Sequence, residues 1–301
     1  MTWDTAQNTT YNILEMCFFF PTFVVGLIGN GLVIFLISCR MKTTVNSIWF
    51  LNLAVADFIF LLSSCIGLFS FLGQWRNVIL IDIFLPLNMF ASIFFLVVIS
   101  LDRCLCTWMV VWAQNERTLL RARIISMIVW VLSIGCSIPF FVFFLEFIVD
   151  YDSLIAYEFT VGFLIPLLII ASSYTAIGVQ IKRFKSKKQL RSYRVIITVI
   201  LAFFICWFPY HVSNFYSITS QENDDGLFGI VSMFLVYLNS CLNPILYVFM
   251  CDDYKKKLKQ SLLLVLETAF AEDHLDFKAD AKRQAGHKNQ TELLDMKKTG
   301  P

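Results

Sequence analysis

Seven apolar runs, each about as long as a helix that crosses a bilayer, decide what this chain can fold into. They cover roughly residues 14–39, 48–73, 78–105, 122–146, 154–181, 194–218 and 226–250. A spanning helix needs about 20 mostly apolar residues, and inside lipid its backbone polar groups must be bonded within the segment. The composition agrees, with 58% of residues hydrophobic and 15% charged, where soluble domains lie near roughly half and a quarter. The expected fold is therefore all-α, a seven-transmembrane helix bundle over residues 14–250. Residues 1–13 precede it, and the one long polar piece is 268–301. No soluble catalytic domain fits in what remains.

The basic residues give the expected orientation. Arg40 and Lys42 lie between the first and second runs, and Arg117, Arg121 and Arg123 between the third and fourth. "KRFKSKKQLRSYR" joins the fifth to the sixth, and "DDYKKKLKQ" follows the seventh, while the alternate connections carry little besides Arg76. Positive charge stays cytoplasmic. The reading is a multi-pass plasma-membrane protein with its N-terminus extracellular, its C-terminus cytoplasmic and its first helix serving as signal anchor. Asn8 in "NTT" is then an outward glycosylation acceptor, and the "NQT" at Asn289 lies on the inert side. Residues 251–267, "CDDYKKKLKQSLLLVLE", read as an amphipathic helix on the inner leaflet, its lysines facing lipid phosphates. The tail 268–301 is polar, mixed in charge and expected to be disordered. Of the nine cysteines, all but Cys17 lie within or at the inner ends of helices. No zinc spacing and no disulfide is read from them, and no nucleic-acid partner is expected.

Polar groups inside such runs are costly and mark function or packing. Asp57, in "LNLAVADFIF", is the deepest acid. Asn30, Asn88, Ser92, Asn239, Ser240 and Asn243 are the polar groups available to surround it. A cation, a proton or a hydrogen-bond network would each satisfy it, and packing glue between helices is the plain alternative. Pro86, Pro139, Pro166, Pro209 and Pro244 each remove a backbone donor, so kinks are expected in five helices. Asp102 and Arg103 are the remaining anomaly, an acid and a base after fourteen uncharged residues, "NMFASIFFLVVISL".

Taken in order, "GN" at Asn30, "LNLAVAD" at Asp57, "DRC" at Arg103, Trp130, Pro166 with Tyr174, "CWFPY" at Trp207 and "NPILY" from Asn243 to Tyr247 resemble the rhodopsin-like G-protein-coupled receptors. "CRMKTTVNSIWFLNLAVAD", "LNMFAS", "ISLDRCL", "VWAQNERT" and "PLLIIASS" resemble the chemoattractant branch, most of all its prostaglandin D type, with formyl-peptide, anaphylatoxin and chemerin receptors as relatives. The resemblance implies an extracellular peptide or lipid-mediator ligand and a heterotrimeric G protein of inhibitory type. It implies that Asp102 and Arg103 form the ion pair that holds the receptor inactive. Pro166, Ile93 and Phe203 would be the core triad, Trp207 the rotamer switch, and Tyr174 and Tyr247 the tyrosines that meet near Arg103, with Asn243 and Pro244 in the seventh-helix motif. Asp57, Ser92, Asn239, Ser240 and Asn243 would form an allosteric sodium site, with no other cofactor. Asp82, Leu85, Glu158, Tyr210 and His211 fall in the implied ligand pocket. With only Thr268, Thr291 and Thr299 in the tail, arrestin capture is expected to be weak.

Some positions depart from that pattern. Val78 stands where the family has the cysteine that staples the third helix to the second outer loop, and "EFIVDYDS" lacks the partner. Val110 replaces a usual proline, and Glu158 stands where the prostaglandin D type has a carboxylate-binding lysine. The competing function is a receptor-fold protein that no longer signals. An enzyme is not expected, because His211, His274 and His287 form no triad or metal spacing. Residues 226–250 lack the lysine a retinal Schiff base needs, and the halves show no transporter-like repeat. The acids Asp82, Glu146, Asp150, Asp152, Glu158, Glu222, Asp224 and Asp225, facing essentially Arg76 alone, favour a cationic or zwitterionic ligand. Simple solvation of the rim remains the other reading of them.

Overall fold

A computed structural model describes the backbone of residues 2–72, 79–144, 150–184, 189–220 and 227–250. It describes the side chains of 19–66, 83–144, 150–180, 197–219 and 227–244. The elements run α1 (Thr2–Phe35), a π-helical turn (Leu36–Arg40), α2 (Val45–Leu72), α3 (Ile79–Trp108), the short α4 (Val110–Glu116) and α5 (Leu119–Phe144). Then come α6 (Tyr151–Phe159), a second π-helical stretch (Thr160–Leu164), α7 (Ile165–Phe184), α8 (Gln189–Ser220) and α9 (Leu227–Met250). Among the described residues there is no strand. Seven helical segments are long and apolar enough to cross a membrane: α1, α2, α3, α5, α6 with α7, α8 and α9. The fold is thus the seven-helix bundle that the apolar runs imply.

Burial shows which helix is the axis. In the apolar stretch of α3, 67% of residues are buried, against 17% in α5. α3 packs on α2, α5, α7 and α8, and α1 closes the bundle against α2 and α9. α5 lies at the edge and turns Met127, Val131 and Leu132 outward. Such faces suit lipid, where no water penalises exposed hydrocarbon.

Local chemistry sets the helix ends. At the start of α2, the Thr44 hydroxyl accepts from the Ser47 amide at 3.1 Å and the Ser47 hydroxyl accepts from the Thr44 amide at 2.7 Å. This reciprocal cap has a serine where glutamate is commoner. Asp150 caps α6, its carboxylate accepting from the Ser153 amide at 3.1 Å and hydroxyl at 2.7 Å. The Ser153 bonds hold this exposed carboxyl below its ordinary pKa. One of the acids of the expected rim is therefore engaged in starting a helix.

Three features differ from the sequence expectation. Pro166 does not simply kink its helix. A proline cannot donate, and its ring crowds the carbonyl four residues back, so the preceding turn widens and the Ile165 amide bonds the Thr160 carbonyl five residues away. The connection after α3 contains α4, beginning at Val110 after a break at Met109, where φ is −120° and ψ 65°. Proline suits the first position of a helix, yet Val110 occupies it and the helix still forms. α1 also runs back to Thr2, since nothing in the polar residues before Pro21 stops it and Asp4 favours its N-terminal end. The side chains of Asn8, Val78, Asp82 and Tyr247, and residues 251–301 with the amphipathic helix and tail expected there, lie outside the described residues.

Close approach of helices depends on glycine. A Cβ at Gly26 would stand 2.5 Å from Leu61 Cδ1 and 2.7 Å from Cys241 Sγ, at the junction of α1, α2 and α9. At Gly31 the nearest atom would be Phe58 Cε2 at 3.5 Å, an ordinary contact. Gly26→Ala should cost about 1–3 kcal/mol through overpacking, and Gly31→Ala should be near neutral. Thermal unfolding of the two purified variants checks this; equal midpoints would contradict the packing described.

Candidate functional site

The buried polar groups collect along the inner faces of α2, α3 and α9, at two levels. The deeper level centres on Asp57, which is fully buried. Its two oxygens accept from different helices: Asn88 Nδ2 of α3 at 3.1 Å and Asn243 Nδ2 of α9 at 2.7 Å. Asn30 of α1 joins the same layer by donating to the Ser240 carbonyl at 2.9 Å and the Gly26 carbonyl at 3.0 Å. Ser92 lies one turn from Asn88 on α3, and Asn239 and Ser240 lie within a turn of Asn243 on α9; all three are buried. Among the described residues Ser92 Oγ, Asn88 Oδ1 and Asn30 Oδ1 have no hydrogen-bond partner, and the Ser240 hydroxyl is a further partner of Asp57. The layer thus holds a carboxylate and three orphaned oxygens, a hard-donor set of the kind that Na⁺ or Ca²⁺ prefers over a soft metal. No group of three His, Cys, Asp or Glu side chains lies close enough to hold a metal among the described residues.

The second level is at the α3 terminus. Arg103 Nη2 donates to Asp102 Oδ2 at 2.8 Å. Arg117, from the residue that follows α4, grips the same carboxylate with two bonds, Nε to Oδ1 at 2.8 Å and Nη2 to Oδ2 at 3.0 Å. Both guanidiniums also donate to Asn46 Oδ1 at the start of α2, Arg117 at 2.5 Å. Asp102 is 11% exposed and Arg103 13%, so the pair is largely screened from solvent. Two-point binding of a carboxylate is the strong form of such a contact. One acid and one amide oxygen therefore tie the ends of α2 and α3 to the α4 connection. Sequence reading placed Asp102 and Arg103 here but not Arg117 or Asn46. The only signal was Asn46 on the face of α2 that carries Asp57, eleven residues away and about 16 Å along the helix.

At the opposite end, aromatic rings enclose His211. Trp207 and Phe203 are buried and stacked at 5.7 Å between centroids. Ile93 and Pro166 are buried in the same part of the bundle. One turn beyond Trp207, His211 is 1% exposed. Around it stand Phe163 at 5.0 Å, Tyr210 at 5.5 Å, Phe159 at 5.6 Å and Trp207 at 6.4 Å. Among the described residues neither His211 ring nitrogen has a hydrogen-bond partner, and neither Trp207 Nε1 nor Glu158 Oε1 has one. Leu85 is buried on α3. Tyr174 is half-buried on α7. Away from these centres, Trp130 Nε1 of α5 donates to Asn52 Oδ1 of α2 at 2.9 Å, fixing the edge helix to the bundle. The seven described cysteines are free.

The family described as 7 transmembrane receptor (rhodopsin family) matches residues 29–247. Among similar proteins, the C3a anaphylatoxin chemotactic receptor of Danio rerio is 36% identical over 94% of this chain and 85% of its own length. The N-formyl peptide receptor 2 of Macaca mulatta is 32% identical over 98% and 97%, and the human Chemerin-like receptor 1 is 34% identical over 82% and 77%.

Proposed function

The chain belongs to the rhodopsin family of seven-transmembrane receptors, as a G-protein-coupled receptor of the chemoattractant type and not an enzyme, and from that premise we propose that it passes an extracellular signal to a heterotrimeric G protein of the inhibitory type. The observation that carries the proposal is the ion-paired end of α3. The Arg103 guanidinium, held by Asp102 and Asn46 in a cluster that Arg117 shares, is stored in a closed arrangement that must open before it can meet another protein. A ligand at the far end drives that motion only to the extent that it binds the open bundle more tightly than the closed one.

In this reading the Arg103 end faces the cytoplasm and the Glu158 end the exterior of the plasma membrane. The basic connections support that orientation. Inner-leaflet lipids would meet the lysines of residues 251–267, and arrestin would bind weakly to a tail poor in serine and threonine. Sodium is the allosteric ion we propose for the deeper layer, held by Asp57, Ser92, Asn239, Ser240 and Asn243. The orphaned hydroxyl of Ser92 and the Ser240 hydroxyl that bonds the Asp57 carboxylate support that assignment. The bound ion would supply positive charge to a buried carboxylate and so favour the closed bundle.

Two experiments test the proposal. In cells expressing an inhibitory G-protein dissociation sensor, Asp102→Asn, which frees the clamp, should lower the resting sensor signal below that of wild type, and adding Arg103→Ala should abolish that effect at equal surface expression. A well-expressed Asp102→Asn receptor indistinguishable from its double variant with Arg103→Ala would support the competing reading, a receptor fold that no longer signals. Purified receptor should unfold a few degrees higher in sodium chloride than in choline chloride. Asp57→Asn should erase the difference; a sodium effect of full size in that variant would place the ion elsewhere.

A further inference from the structure

Glu158 is a carboxylate with no use inside the described bundle. It is 2% exposed, its Oε1 has no hydrogen-bond partner, and among the described residues it has no ion-pair partner. Its neighbours in sequence show where it points. Tyr157 turns to α5 and α3, donating to the Cys136 carbonyl at 3.1 Å and lying 6.1 Å from the Phe90 ring. Phe159 turns to α8, meeting the His211 and Phe215 rings at 5.6 and 5.3 Å. Glu158 lies between these two directions and is buried, so it faces the bundle interior.

Gly162 fixes the depth. A Cβ there would collide with Met89 and come within 3.3 Å of Phe90, so the α6–α7 backbone lies against α3 at Met89. α3 and α6–α7 run in the same direction through the membrane. About one turn back on each, Glu158 comes level with Leu85. On the α8 side His211, inside its ring cage, meets the Phe159 and Phe163 rings of the same α6–α7 segment, and Trp207 lies one turn away along α8. An ionised carboxylate left alone in such surroundings costs several kcal/mol, and leaving its partner out costs more than the pair is worth. A cation set over aromatic faces is attracted by the ring quadrupoles as well.

We propose that Glu158 anchors a cationic group of the ligand, a guanidinium or primary ammonium, with the flank of that group against the aromatic cage around His211. The partner is therefore a molecule that carries its positive charge at an inserted end, such as a peptide with a basic terminus. A lipid mediator carrying only a carboxylate would meet an acid where it needs a base. Asp150 has a different task, since it caps α6. The inference rests on the receptor reading only for which end faces outward; it does not require that the protein activate a G protein.

Saturation-transfer NMR on purified receptor in nanodiscs tests it with three small probes of matched shape: benzylguanidinium, benzylurea and phenylacetate. Wild type should bind benzylguanidinium and prefer it to the neutral and anionic probes. Glu158→Gln, which keeps the shape and removes the charge, should weaken that binding by about tenfold or more. Asp150→Asn, a change at the rim, should leave it unaltered. Binding of the guanidinium that survives Glu158→Gln, preference for phenylacetate, or no binding of any probe by wild type would each overturn the proposal. Should Glu158→Gln fail to fold, the ranking of the three probes on wild type decides alone. A receptor silent in the G-protein assay but selective for the cation would sink the signalling proposal and leave this one standing.

Discussion

The two oxygens of Asp57 hold the crossing helices to one another. α2 presents the carboxylate, and α3 and α9 each answer with an asparagine amide, at 3.1 and 2.7 Å. In water such bonds would be exchanged for solvent at little net gain. In a lipid-embedded bundle the alternative is an unpaired charge, so the three helices are fixed in rotation and depth by one side chain. α1 is drawn into the same layer by Asn30 bonding the Ser240 carbonyl. Because lipid supplies no hydrophobic force between helices, contacts of this kind and close glycine approaches do the joining.

The second polar level follows from the first. Asn46 lies eleven residues before Asp57 on α2, and Ser92 eleven before Arg103 on α3. Eleven residues are close to three helical turns, so each pair shares a face. The helices are antiparallel, so the four positions meet as two layers, Asp57 near Ser92 and Asn46 on Arg103. The acid at 102 and the amide at 46 can then serve two arginines at once. The layers are coupled through rigid helices, and this coupling is how a change at Asp57 would reach the Arg103 end. Glu158 and His211 stand at the far side of Trp207, where an inserted cation would bear directly on α8.

Much of this was legible in the sequence, for reasons that can be named. The seven apolar runs fix the crossings because lipid leaves the backbone no other solution. Asp57 and the Asp102–Arg103 step stand out because charge is rare in such runs. What stayed hidden was local or long-range geometry. The π-helical stretch Thr160–Leu164 arises from the clash of a proline ring with the carbonyl behind it, and the sequence signal for that is the same as for a plain kink. Arg117 reads as one more basic loop residue until α4 folds and carries it to Asp102. The cage around His211 needs rings from α6, from the stretch that follows it and from α8, and no single window of sequence contains them. The orphaned state of Glu158 is likewise a property of its neighbours.

We propose that the Asp102 clamp keeps the Arg103 end closed and that its opening is the signalling event. A distance measurement between electron spins tests this most directly. One label goes on Cys106 of α3 and one on Ile197→Cys of α8, with the other cysteines replaced. The wild-type receptor should give a single short distance. Nucleotide-free inhibitory G protein should lengthen it, and Asp102→Asn should populate the longer distance with no G protein present. The same distance distribution in all three samples would contradict the account.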